Sequence, residues 1–105
     1  MSAQALNSEL ERYLVMPSDE RWKWLTRLLF ALTQFARSTY IVGGTGLQHP
    51  ERLRLYNELL HRVAVQLRDK ATSHHGMPDD VFVKVLAELI PSLDVDIAAL
   101  IGMLK

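Results

Sequence analysis

Two long amphipathic patterns, from Ser18 to about Val42 and from Pro50 to about Ser73, are separated by the glycine-rich stretch Gly43-Gly44-Thr45-Gly46. Each pattern repeats its apolar residues at helical spacing, and two such stripes exclude water most economically by facing one another. The sequence therefore predicts an antiparallel helical hairpin at the centre of a compact all-α bundle of four to five helices. At 105 residues the chain is one helical domain, residues 1–105, with room for a single core.

On the second helix, Trp24, Leu25, Leu28, Leu29, Leu32, Phe35 and Ala36 share one broad arc. Trp22 and Tyr40 extend its edge, and Lys23, Arg27, Gln34 and Ser38 form a narrow polar strip. Phe30 lies beside that strip and is a candidate for a second contact surface. On the third helix, Leu53, Tyr56, Leu60, Val63 and Leu67 alternate steps of three and four, widened by Leu55 and Leu59. The expected hairpin core is Leu28, Leu32, Phe35, Leu60, Val63 and Leu67.

The flanking segments extend the helical reading. Leu6, Leu10, Tyr13 and Leu14 form a stripe on a first helix from about Ala3 to Met16. Pro17 stops it, Ser18 is the expected N-cap of the next helix, and Asp19 and Glu20 suit the positive end of that helix's dipole. Pro50 fits the first position of the third helix. After a break at Ser73 to Pro78, the segment Val81, Phe82, Val85, Leu86, Leu89 and Ile90 has helical spacing despite its β-branched residues, and no second strand is available to pair with it. Pro91 breaks the chain again, Ser92 is an expected cap, and a short last helix carries Ile97, Leu100, Ile101 and Leu104 with almost no polar residue after Asp96.

That last helix requires cover. A small domain has limited interior, so the expected outcome is self-association as a homodimer through Ile97, Leu100, Ile101 and Leu104, with Trp22, Phe30 and Val65 as further interaction candidates. The competing arrangement folds the helix back over its own chain.

Charge narrows the function classes. Lysine plus arginine is 12 and aspartate plus glutamate is 12, so the chain is no general nucleic-acid coat. The distribution is uneven: residues 1–20 carry a balance of −3, residues 21–70 of +6 and residues 71–105 of −3. A basic hairpin between acidic ends predicts either charge-guided packing of the ends on the hairpin or a patch for a partner with an acidic surface. No cysteine is present, which removes thiolate chemistry. The N-terminus has no leader pattern, and no apolar run approaches the roughly 20 residues of a membrane span, so the expectation is a cytoplasmic protein without membrane contact.

Incomplete chemical motifs point away from catalysis. Glu58-x-x-His61 has di-iron spacing, yet it faces away from the seam and has no second copy. His74 and His75 beside Asp79 and Asp80 lack fixed geometry for a metal. The Gly43 to Gly46 loop lacks the phosphate-loop lysine and a preceding strand, and neither Thr45 nor Ser38 has a nameable base. Trp22-Lys23-Trp24 has the composition of a single-strand nucleic-acid surface, but the two rings point about 200° apart on a helix. The reading is therefore a non-enzymatic protein-protein interaction or regulatory module with no cofactor and no metal. The alternatives are a nucleic-acid-binding regulator using the basic 21–70 hairpin, which is disfavoured because its helices are too long and apolar for a helix-turn-helix, and a small metal-binding enzyme.

Overall fold

The computed structural model describes residues 2–38, 50–71, 77–93 and 95–105, except for the side chains of 2, 3 and 69–71. They form α1 (Ser2–Leu14), α2 (Ser18–Ala36), α3 (Pro50–Ala71), α4 (Asp79–Leu89), a single 3-10 turn (Ile90–Leu93) and α5 (Ile97–Leu104). Among the described residues there is no strand: Val81 to Val85 are helical, because Phe82, Val83 and Leu86 gain a common buried face at that spacing. The expected all-α bundle is the fold of the chain. The glycine-rich loop, Thr39 to Val42, His74 and His75 lie outside the described residues.

Helix boundaries follow the prolines and differ from expectation at the caps. Pro17, in extended backbone, is the N-cap of α2, and Ser18 is its first helical residue rather than the cap. The Pro17 carbonyl accepts from the Arg21 N–H at 3.0 Å, which opens the helix without a side-chain cap. Pro78 serves α4 in the same way, its carbonyl accepting from Phe82 N–H at 2.9 Å. Ser92 is no cap either. It lies within the 3-10 turn that Pro91 permits, and Asp96 caps α5 by accepting the Ala99 N–H at 3.2 Å. α1 ends at Leu14, two residues before the predicted Met16, in a turn closed by Met16 N–H to the Tyr13 carbonyl.

The hairpin stripes are buried with one shift in register. On α2 the sealed residues are Trp24, Leu25, Leu28, Ala31, Leu32 and Ala36, while Leu29 and Phe35 are half-buried. On α3 the sealed positions are Tyr56, Leu59, Val63 and Gln66 rather than Leu53, Leu60 and Leu67, which pack against the core from its margin. The buried row is thus turned toward Leu59 and Gln66. A hydrophobic pattern passes over Gln66, whose inclusion depends on the hydrogen bonds that α4 supplies.

The largest departure concerns α5. Leu100 and Leu104 join the core cluster, and Ile101 is buried with them. α5 packs against both α1 and α2, whereas α1 and α2 meet chiefly through side chains. The apolar C-terminal helix is a wedge inside one chain. Leu100, Ile101 and Leu104, expected at a dimer contact, are covered within the single chain, and Ile97 is half-buried against the same core. Burial inside the chain wins because the chain can cover several faces of a short all-apolar helix at once, which a flat dimer contact cannot.

A polar junction locks the other end of the bundle. Asp79, the first residue of α4, accepts from the Tyr13 hydroxyl of α1 at 3.0 Å and from Arg21 Nη1 of α2 at 2.8 Å. Arg21 Nη2 also donates to the Leu14 carbonyl at 2.9 Å, and Gln66 Nε2 of α3 donates to the Met77 carbonyl at 2.8 Å. Burial, followed by the charge and hydrogen bond of Asp79, pushes the Tyr13 phenol far above its ordinary pKa, so it remains a donor. The Arg21–Asp79 pair joins the basic middle of the chain to an acidic end, as charge-guided packing requires.

The burial of α5 has a direct consequence for stability. Leu100→Ala is expected to cost about 2 to 5 kcal/mol in urea unfolding, against less than about 0.5 kcal/mol for Met103→Ala on the exposed side of the same helix. Equal costs would contradict the wedge.

Candidate functional site

Two neighbouring surfaces of α2 carry the features that could recognise a partner, and both begin with how α1 and α2 are held. Glu9, only 4% exposed, accepts from the Trp24 indole Nε1–H at 2.9 Å and from Arg12 Nη2 and Nε at 2.5 and 3.1 Å. Burial alone would raise the Glu9 pKa. The Arg12 and Trp24 hydrogen bonds, with the charges of Arg12 and Lys105, outweigh it and hold the carboxyl below its usual range. The Trp24 ring in turn stacks at a tilt on Tyr13, 4.6 Å between centroids.

Above this clamp lies a cleft of about 240 Å³ lined by Arg12 and Met16 from α1 and the following turn, and by Glu20, Lys23, Trp24 and Arg27 from α2. Its lining carries three cations and one carboxylate. Lys23 and Arg27 stand one helical turn apart and are both exposed, with no ion pair among the described residues.

The second surface is the outer strip of α2. Trp22, 46% exposed, and Phe30, 60% exposed, fall within about 100° of arc together with Thr26, Leu29 and Thr33. Thr26 and Thr33 look polar in sequence, but each hydroxyl donates to its own helix, to the Trp22 carbonyl at 2.9 Å and the Leu29 carbonyl at 2.7 Å. Their hydroxyls are satisfied within the helix, so the strip between the two rings makes little demand for water. Positions 22, 26, 29 and 33 also have the steps of four, three and four that seat a facing helix.

Glu58, His61 and Val65 lie away from these surfaces, together on one groove. Val65 is half-buried in a groove of about 500 Å³ between α3 and α4, with Met77 and Phe82 on the floor and His61 at the side. Glu58 pairs with Arg62 at 3.0 Å, and both line the same groove. Among the described residues, no three histidine, aspartate or glutamate side chains converge as metal ligands. Trp22 and Phe30 are therefore brought onto one face, Val65 is placed elsewhere, and Leu100, Ile101 and Leu104 are internal. Thr26, Thr33, Arg12 and Glu20 were not identified by sequence reasoning. The i to i−4 spacing of each threonine below an apolar residue was the one available signal for the strip.

Because the folded Glu9 pKa is lowered, its contribution to stability is complete above the ordinary unfolded value of about 4.3 and is lost as pH falls through the folded value. The stability difference between the wild type and Glu9→Gln, measured by denaturant titration, is expected to be largest near neutral pH and to shrink on acidification. A difference that is flat down to acid would contradict this clamp.

Comparison with known protein families, curated proteins and solved structures finds no match for this chain.

Proposed function

We propose that this chain is a non-enzymatic protein-protein interaction module that self-associates as a homodimer through the outer strip of α2. The observation that supports it is the pair of exposed rings, Trp22 and Phe30, on a strip whose intervening hydroxyls are already satisfied by their own helix. An apolar row at helix-packing spacing gains most by covering itself with another helix, at about 25 cal/mol per Å² of apolar surface removed from water.

The occupant is a second copy, on grounds of charge. Asp19 stands at the start of α2 and Arg37 just past its end, on the same side as the strip. In an antiparallel two-fold pairing each Asp19 lies opposite the Arg37 of its partner, and Phe30 crosses Thr26 near the axis. The same register brings the two Arg27 side chains near one another, a single repulsion against two attractions. Such rim charges set register and orientation more than affinity. The aromatic pair supplies the binding energy.

Sedimentation velocity across a concentration series tests this. The wild type is expected to move from one-chain to two-chain mass as concentration rises. Phe30→Glu should weaken association at least about tenfold while leaving the helical circular dichroism unchanged. Asp19→Lys and Arg37→Glu should each weaken it, and the double variant should recover part of the loss. A wild type that stays at one-chain mass at high micromolar concentration, or a Phe30→Glu variant that associates equally well, overturns the proposal.

A further inference from the structure

We propose that the cleft between α1 and α2 is an anion site that takes a phosphoryl group, as free phosphate or as a phosphate monoester. This goes beyond the self-association reading and does not rest on it. The argument starts from the clamp beneath the cleft. An arginine that binds an anion works best when its guanidinium is already aimed, and here the buried Glu9 carboxylate holds Arg12 through Nε and Nη2. Nη1 makes no hydrogen bond among the described residues. Glu9 is itself fixed by the Trp24 indole, so the guanidinium is anchored to the core rather than free on the surface.

Across the cleft, Lys23 and Arg27 extend from successive turns of α2, neither of them paired among the described residues. Two like charges one turn apart on a helix repel, and a dianion between them and Arg12 removes that cost. The concavity of about 240 Å³ is small for an extended organic ligand and ample for a phosphate. Trp24 and Met16, both buried in the core, supply the apolar part of its lining. Glu20 is the one lining group that opposes an anion, and it makes a signed prediction possible.

The Trp24 indole Nε1–H bonds to the carboxylate that holds Arg12, so its proton–nitrogen resonance reports the cleft, while the Trp22 indole on the neighbouring strip is an internal control. Inorganic phosphate and O-phosphoserine are titrated at constant ionic strength, adjusted with sodium chloride. The expected result is a saturable shift of Trp24 with Trp22 unmoved. Lys23→Gln with Arg27→Gln should weaken it about tenfold, and Glu20→Gln should tighten it. Saturation by inorganic phosphate alone identifies the free anion as the ligand, and stronger saturation by O-phosphoserine identifies a monoester. No saturable shift from either probe up to about 20 mM, or a shift that survives the double substitution unchanged, overturns the proposal. Both substituted cations are exposed, and an otherwise unchanged amide spectrum verifies that the fold is retained.

Discussion

Helix α5 has apolar side chains around most of its circumference, and no single flat contact hides such a helix. The bundle solves this by inserting it against α1 and α2 together, with Leu100 and Leu104 in the shared core. Much of the remaining architecture depends on that insertion. Because α5 occupies the space between them, α1 and α2 meet mainly through long side chains, and the gap left on the outside is the cleft of Arg12, Lys23 and Arg27. α2 also packs on α3, so its buried arc is fully used and its outer strip is left to the surface.

The polar groups inside this bundle gather in two clusters, in which Arg21 Nε alone among the described buried side-chain polar atoms lacks a hydrogen-bond partner. Glu9 accepts from Trp24 and Arg12, and Asp79 accepts from Tyr13 and Arg21 with Gln66 beside it. Breaking such a contact leaves a buried polar group without its partner, which costs more than the bond contributes when made. Both clusters therefore oppose sliding or rotation of the helices, which apolar contacts alone tolerate. The Gln66 and Asp79 bonds also account for the register of α3, since turning Leu60 or Leu67 inward would withdraw the amide from the Met77 carbonyl.

α2 consequently presents three different chemistries around one helix. Its inner arc is core, its outer strip is apolar at helix-packing spacing, and the flank between them is cationic. On the reading proposed above, the strip gains from losing water and the cleft from gaining an anion. The exposed Lys23, Arg27, Trp22 and Phe30 of these two surfaces make no hydrogen bond or ion pair through their side chains among the described residues.

Helix existence was fixed by local pattern. The 3.6-residue repeats, Pro17, Pro50, Pro78 and Pro91 specify four to five helices and their approximate ends, since periodicity and proline act through the backbone of a few adjacent residues. The division of α2 into a core arc and a separate Phe30 side was legible for the same reason. Tertiary structure decided everything that depends on which helix lies next to which. It turned α5 from a presumed outer surface into an internal wedge, put Gln66 in the core row of α3, and assembled Arg12, Glu20, Lys23 and Arg27 around one cleft. The periodicity of one helix states how much apolar surface must be covered but not what covers it. A polar side chain likewise reads as exposed until its partner, 66 residues away for Tyr13 and Asp79, is brought within hydrogen-bonding distance.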